Sequence, residues 1–400
     1  MNRTYCKISF LCGIAVFTLF GCIETFEPGT ETFEDILVVQ ATLTNEMKQQ
    51  EVVLTRSFRF EDEMPSFERQ AEVRIIASNG AEYVFTEVVP GTYRSSTSFA
   101  AEANVDYELA IQTASGNSYR SRAIQLPSIT TIDNLEAKRM TNSNGVEGMA
   151  ILVDSFDPTG GSQYYRYEFE ETYKIIAPEW RPFDLEIASF APPAVNVIVR
   201  DREERICYNS ARETSLILES TIDRIEDRIE DFPVRFISSD NYIISHRYSV
   251  LVKQYVHSVN AFTFYETLRD LSQSESLFSD NQPGFIAGNV FSTTNEDEKV
   301  AGFFDVASVD QKRIYFNYVD FYPGERLPPY VTACVTFAPE LQDPGGGTPL
   351  LDAIADGNVR YFSENENPRP DEGPYLLVSR TCGDCTVLGS NIKPDFWEDE

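Results

Sequence analysis

The sequence predicts a mainly β protein: an N-terminal β-sandwich followed by a larger β-rich domain with two inserted helices. Three observations indicate this class. The 400 residues include 28 Phe and 20 Tyr, and aromatic and β-branched residues favour strands. Short apolar runs are separated by Gly, Asn and Pro turns, as they are in sandwiches. Hydrophobic residues make up 42% of the chain, which is enough to bury a large core and argues against disorder.

Residues 1–21 have the layout of a bacterial lipoprotein signal peptide. Arg3 and Lys7 precede an apolar run from Ile8 to Leu19, and a Gly stands directly before Cys22. A small residue before such a Cys marks the cleavage point of lipoprotein signal peptidase. The run is shorter than the ~20 residues of a transmembrane helix. We therefore expect acylated Cys22 to begin the mature chain and hold it on the lipid bilayer; the alternative is an ordinary secretion signal with a chance Cys.

Residues 22–35 are predicted to form an acidic tether between the lipid and the fold. Five acidic residues and a Pro-Gly break lie between Ile23 and Asp35, a composition typical of flexible linkers. Acidic residues just after a lipidated Cys also resemble the surface-export signal of Bacteroidota lipoproteins. That resemblance implies that the protein lies at the outer membrane and faces the cell surface.

Residues 36–127 are expected to form an immunoglobulin-like or transthyretin-like sandwich. Asn79-Gly80 supplies the positive-φ pair of a tight hairpin, and Gly91 and Gly116 mark further turns. About seven strands within about ninety residues is the count of such a sandwich. The predicted strands are Ile36–Leu43, Val52–Phe58, Ala71–Ser78, Ala81–Thr86, a short one around Tyr93, Val105–Thr113 and Tyr119–Gln125.

Residues 128–400 are expected to form the second domain, which opens with strands at Gly148–Val153 and Tyr164–Phe169. A helix is predicted near 221–231, capped by Ser220 or Thr221 and stopped by Pro233. Its apolar stripe would consist of Ile222, Ile225 and Ile229.

A second helix is predicted near 259–273, because apolar residues recur there at helical spacing. They are Phe262, Tyr265, Leu268 and Leu271. Both apolar stripes are expected to face the core rather than a ligand. His257 is expected to end a strand or to begin this helix, as a partly exposed polar residue.

Four cysteines remain once the signal is removed and Cys22 is acylated: Cys207, Cys334, Cys382 and Cys385. An even number in an exported chain predicts two disulfides, and the three possible connectivities stay open. The pair Cys382 and Cys385 could instead be a redox or zinc half-site. Zinc normally takes four ligands from two such pairs, and the other two cysteines stand alone.

The charge of the chain excludes one class of partner. The formal net charge is −30, whereas phosphate binding needs clustered Lys and Arg. Nucleic acid is therefore not an expected partner. The same repulsion argues against binding flat on an anionic lipid surface.

Motifs that carry enzyme chemistry are missing from the sequence. Only two histidines occur, His246 and His257, too few for a His-rich metal centre. No G-x-S-x-G elbow is present, and Gly345–Gly347 lacks the Lys-Ser/Thr of a phosphate loop. The 63 Asp and Glu residues allow chance carboxylate pairs, but the sequence cannot choose one. We predict no catalytic residue, no metal site and no cofactor.

Eight short segments carry a family resemblance over nearly the whole mature chain, and they are specific jointly rather than singly. They are Ile36–Val39, Tyr164–Arg166, Cys207-Tyr208, Tyr248–Tyr255, Gly288–Val290, Gly302–Phe304, Cys382–Cys385 and Lys393–Trp397. In this order they resemble the Bacteroidota outer-membrane lipoprotein family catalogued as domain of unknown function 4249.

The resemblance implies a location and a partner but no reaction. Members of this family are often encoded beside TonB-dependent transporters of the starch-utilisation type, and the family supplies no catalytic residues. The leading hypothesis is a non-catalytic surface lipoprotein that acts as an accessory subunit of such a transporter or of another envelope complex. The alternatives are an adhesion or structural module that binds proteins or glycans and, third, a carboxylate-based hydrolase.

Overall fold

The computed structural model describes residues 35–58, 66–273, 286 and 288–399. The predicted signal peptide, the acylation site Cys22 and all of the tether except Asp35 lie outside these residues. Within the described ranges the protein has 21 β-strands and four α-helices. The prediction of a mainly β fold is confirmed.

The N-terminal region contains eight strands that match the seven predicted runs, the last of which is divided in two. The hairpin predicted at Asn79-Gly80 is present, and Gly80 has a φ of +90°. The strands are β1 (Leu37–Thr44), β2 (Glu51–Arg56), β3 (Glu72–Ala77), β4 (Glu82–Val89), β5 (Thr92–Ser95), β6 (Asp106–Gln112), β7 (Ser118–Ser121) and β8 (Ile124–Gln125).

The rest of the chain contains thirteen strands and the four helices. The strands are β9 (Ile132–Thr141), β10 (Glu147–Phe156), β11 (Tyr164–Ile176), β12 (Phe183–Phe190), β13 (Pro193–Val199), β14 (Ile206–Arg212), β15 (Ile217–Ser220), β16 (Arg228–Ser238), β17 (Arg247–Val256), β18 (Val290–Ser292), β19 (Val300–Asn317), β20 (Val359–Glu364) and β21 (Tyr375–Ser379). The helices are α1 (Val259–Gln273), α2 (Tyr318–Phe321), α3 (Pro349–Ala355) and α4 (Arg380–Gly383). The helix predicted near 259–273 is confirmed as α1. In the part of the chain that the structure describes, no helix has the length and apolar character needed to cross a bilayer.

The helix predicted near 221–231 is wrong, because this segment is a turn followed by β16. Thr221 caps no helix; its hydroxyl donates to the carboxylate of buried Asp227 at 2.6 Å. The same carboxylate accepts a hydrogen bond from the hydroxyl of Tyr165 at 2.8 Å. A buried carboxylate with several donors ties the turn to β11, and this outweighs the local helix preference.

The isoleucine spacing in that segment was misleading as well. Ile225 is fully exposed, whereas Ile229 is buried in the core, so these residues do not share one face. Pro233 stops no helix; it lies within β16 opposite Leu152, where the register shifts. Such an irregularity is a place where a strand tolerates Pro.

A single 14-stranded sheet runs through both parts of the chain. Its order is β14-β11-β17-β19-β1-β2-β5-β4-β3-β6-β7-β18, with β15 beside β11 and β8 beside β6. β19 is the shared strand. Its first half pairs parallel to β1, from Leu37 opposite Val300 onwards, and the rest pairs antiparallel to β17. The N-terminal sandwich is therefore completed by β18 and the start of β19, which the 36–127 segment alone does not reveal.

Both main cores lie on the same face of β19. Phe304 and Val306 belong to the N-terminal core. Ile314 and Phe316 pack in the second core, which forms against β9, β10 and β16. Alternate residues of a strand share a face, so the opposite face of β19 is turned away from both cores. α1 packs against that opposite face.

Candidate functional site

A cleft of about 810 Å³ lies between α1 and the face of the sheet that is turned away from the cores. Its volume falls in the range of roughly 300 to 1,000 Å³ that is common for small-molecule sites. β1, β11, β17 and β19 contribute residues to it. We call it the α1 cleft and define it by Gln40, Thr42, Arg166, Glu168, Phe264 and Tyr265.

The alternation of β11 places two charged residues in this cleft. Tyr165 and Tyr167 are buried in the second core, and Arg166 and Glu168 between and after them line the cleft. Successive side chains of a strand point to opposite faces. An aromatic strand that is apolar on one side therefore presents a charged pair on the other.

A hydrogen-bonded chain fixes the guanidinium of Arg166. Its Nε donates to Nε2 of His257 at 3.1 Å, and Nδ1 of His257 lies 2.6 Å from Oδ2 of Asp305. Because Nε2 accepts, Nδ1 must carry the proton and donate to Asp305. The side chains of His257 and Asp305 are fully buried. Desolvation by this burial lowers the pKa of His257, so the ring is neutral at pH 7.

Two further contacts hold Arg166 from the cleft side. Nη1 donates to the carboxylate of Glu168, and the guanidinium lies over the rings of Tyr255 and Tyr265, at 4.3 and 5.1 Å from their centroids. Such cation–π contacts stabilise a desolvated guanidinium. Of the residues that the structure describes, none accepts a hydrogen bond from Nη2 of Arg166.

The two carboxylates that line the cleft are ionised at neutral pH. Burial acts to raise the pKa of Glu168, but the charge of Arg166 and hydrogen bonds from Arg166 and Tyr255 outweigh it and lower this pKa. Hydrogen bonds from the backbone of Ser215 and Thr214 lower the pKa of Glu213. A general acid needs a raised pKa to keep its proton, so neither group is suited to that role.

The prediction of two disulfides is confirmed. They join Cys207 to Cys385 and Cys334 to Cys382, each with Cα atoms 5.6 Å apart. The two cysteines of the Cys382–Cys385 segment therefore bond to distant partners rather than to each other or to a metal. None of the four lines the α1 cleft. Within the described ranges, no group of three or more His, Cys, Asp or Glu side chains could hold a metal ion.

Sequence reasoning placed His257 correctly between a strand and a helix but misjudged its exposure. It is 2% exposed, because α1 covers it and Tyr265 packs on its ring at 5.1 Å. Arg166, Glu168 and Asp305 were missed as a group. The alternating charges within the aromatic run from Tyr164 were the signal that could have found the first two. Asp305 comes from a strand far along the chain and leaves no local signal.

Comparisons with known proteins identify a family but no activity. The model described as "Domain of unknown function (DUF4249)" matches residues 23–313, a range that contains every residue of the α1 cleft. No curated protein matches the sequence. One similar solved structure is a DUF4785 family protein from Legionella pneumophila, with 11% identity and a TM-score of 0.15. The match covers 54% of this chain and 51% of that one, about half of each protein. A TM-score this low supports no inference about the fold or the function of this chain.

Proposed function

This chain belongs to the family described as domain of unknown function DUF4249, and from that membership we propose that it is a non-catalytic lipoprotein of the outer-membrane surface. In this proposal it binds a ligand in the α1 cleft and acts as an accessory subunit of a TonB-dependent transporter of the starch-utilisation type.

The observation that carries the non-catalytic role is the placement of His257. Both of its ring nitrogens are engaged, one by Arg166 and one by Asp305, so it has no lone pair to offer a substrate as a general base. The ionised Glu168 and Glu213 are acceptors rather than proton donors. A fixed guanidinium beside a fixed carboxylate is suited to orienting a bound molecule.

Two features support a location outside the cytosol. Disulfides persist in oxidising compartments, and both of those in this chain are formed. The predicted acylation of Cys22 and the tether that follows it would confine the protein to the membrane plane. Thirteen residues from Ile23 to Asp35 reach at most ~45 Å, which keeps the fold near any barrel it meets and raises their effective concentration.

Crosslinking in intact cells, followed by mass spectrometry, tests this partnership. We expect one dominant barrel partner for the wild-type chain and its loss in Cys22→Ser, which should also lose palmitate labelling. Several unrelated surface proteins would favour the adhesion module instead. Recovery of the chain alone, together with a deletion strain of unchanged nutrient uptake and envelope integrity, would contradict the proposal.

A further inference from the structure

The α1 cleft holds a hydrogen-bond donor that is built into place but unused. The side chain of Arg166 is only 10% exposed, and His257 and Glu168 hold its Nε and Nη1. Nη2, with two N–H groups, has no acceptor among the described residues. Holding a buried side chain in one geometry costs conformational entropy, and here the side chain that is held lines the cleft and keeps two N–H groups without an acceptor among the described residues.

The charges around this donor are balanced, which argues against an ionic ligand. Arg166 pairs with Glu168, and Arg212 pairs with Glu170 at 3.7 Å. Lys48, the third cation lining the cleft, pairs with Glu46. Each of these positive charges is already offset by a neighbouring carboxylate, which would also repel an anionic ligand.

The fourth carboxylate near the cleft is also engaged. Glu213 accepts hydrogen bonds from the backbone N–H groups of Thr214 and Ser215 at 2.9 and 2.8 Å. Both bonds end on Oε1 and hold the carboxylate in one orientation. With the three ion pairs, the cleft has no strong excess of either charge, which favours a ligand without net charge.

The sheet that forms the floor also argues against a peptide. An extended peptide gains most of its affinity by pairing with a free strand edge. Along the cleft, β1 lies between β19 and β2, and β17 lies between β11 and β19. β11 has β17 on one side and β14 and β15 on the other. These three strands have neighbours on both sides over most of their length, and β19 pairs with β1 along its first half and with β17 along the rest, so the floor offers little free main-chain edge.

Hydroxyl groups on a neutral ligand would satisfy the donors and acceptors that remain free in the cleft. A hydroxyl both donates and accepts, so neighbouring hydroxyls can accept from Nη2 of Arg166 and donate to the adjacent carboxylate of Glu168. Gln40 is exposed in the cleft and adds an amide that does both. Phe264 and Tyr265 are half-buried and line the wall, where their rings supply apolar surface to the C–H groups of a ligand.

We propose that the α1 cleft is the binding site for a neutral, polyhydroxylated ligand, a sugar or short oligosaccharide, oriented by the Arg166–Glu168 pair. His257 and Asp305 are positioning residues that hold Arg166. This inference rests on the binding role proposed above, but it does not depend on the transporter.

The test is binding of the detergent-solubilised lipoprotein to a microarray of neutral glycans, followed by calorimetric titration with the strongest binder. Phe264→Ala and Gln40→Ala change partly exposed side chains, so both variants should stay folded, as near-UV circular dichroism can verify. Each should weaken binding at least tenfold. Phe190→Ala and Gln112→Ala, which change exposed residues outside the cleft, should leave it unchanged.

Three results would overturn the inference. The folded protein could bind no neutral glycan, the control variants could weaken glycan binding as much as the cleft variants do, or parallel arrays of peptides or polyanions could be the only ones bound. Because the array contains no transporter, failure here is separate from failure of the crosslinking experiment. Glycan binding without a barrel partner would retain the ligand and reject the partnership.

Discussion

At the residue scale, the tautomer of His257 determines what Arg166 can do. A neutral ring accepts from Arg166 and donates to Asp305, which joins a buried carboxylate to the cleft through two hydrogen bonds. A protonated ring would carry N–H groups on both nitrogens and could no longer accept from the guanidinium. Protonation would therefore release Arg166 from its position.

This arrangement predicts a pH dependence of stability. An unfolded His titrates near pH 6.5, and the folded pKa of His257 is lowered by burial. Between those two values the unfolded state binds more protons, so the free energy of unfolding falls as the pH drops below about 6.5. The slope for one proton is at most about 1.4 kcal/mol per pH unit.

His257→Gln should remove this component, because Gln can accept from Arg166 and donate to Asp305 without titrating. Urea unfolding followed by Trp fluorescence between pH 7.5 and 5 measures it. His246→Gln should keep the wild-type decline. An equally steep decline in His257→Gln would show that another group is responsible.

Single residues also show which features could be predicted from the sequence and which could not. The four cysteines and the turn glycines were predictable, because each carries its own chemical or steric signal. The connectivity of the disulfides was not, since it depends on which strands meet. Asp305 reaches His257 only through the pairing of distant strands, so no spacing along the chain could indicate it.

At the element scale, the junction between β1 and β19 depends on a glycine. Gly302 has a φ of +92°, and a Cβ there would lie 1.9 Å from the carbonyl oxygen of Val39. Gly116 has the same φ but no atom near its missing Cβ. Comparing the two positions therefore separates the cost of a positive φ from the cost of a steric clash between a Cβ and the backbone.

Gly116→Ala should cost about 1 to 2 kcal/mol, the strain of a positive φ. Gly302→Ala should cost at least about 2 kcal/mol more, because backbone atoms must move as well. Thermal or urea unfolding of both variants measures the difference. Equal losses would mean that β1 and β19 can separate locally at no further cost.

The disulfides join elements that are distant in sequence. In the chain-entropy account, loops of 178 and 48 residues correspond to about 5 and about 4 kcal/mol. Cys207→Ala with Cys385→Ala should therefore destabilise more than Cys334→Ala with Cys382→Ala. Urea unfolding compares the pairs, and non-reducing peptide mapping should find no peptide bridged between Cys382 and Cys385. The opposite order of stability would show that strain or packing dominates over loop length.

Elements were predictable where periodicity and burial agree. α1 was found because its apolar residues recur at helical spacing, although two of them, Tyr265 and Leu268, line the α1 cleft rather than the core that the stripe was expected to face. The segment after Thr221 has a similar spacing, but Asp227 collects three donors there and β10 supplies a strand partner. Tertiary hydrogen bonds therefore determine the conformation of this segment, and the local sequence does not reveal them.

At the scale of the whole molecule, the N-terminal sandwich includes two strands, β18 and the first half of β19, that lie far along the chain. A fragment of residues 35–127 would lack both β19 beside β1 and β18 beside β7. Exposed strand edges promote aggregation. We expect this fragment to give a poorly dispersed NMR spectrum.

Fusing residues 288–307 to that fragment through a Gly-Ser linker should restore dispersion. A well-folded spectrum from residues 35–127 alone would contradict the expectation. The apolar runs and the turns between them predicted the number of local strands. The two distant strands could not be predicted, because the residues of a strand do not determine which strand pairs with it.

The pairing of β1 with β19 also sets an order in time. If the chain is exported as proposed, its first strand leaves the ribosome and crosses the inner membrane long before its partner, the strand that begins at Val300. Contacts so far apart in sequence form slowly. We expect the N-terminal half to remain incompletely folded during translocation, which suits passage through a narrow export channel. Export intermediates truncated before residue 300 should be degraded by added protease, whereas the full-length chain should become resistant once β19 has crossed.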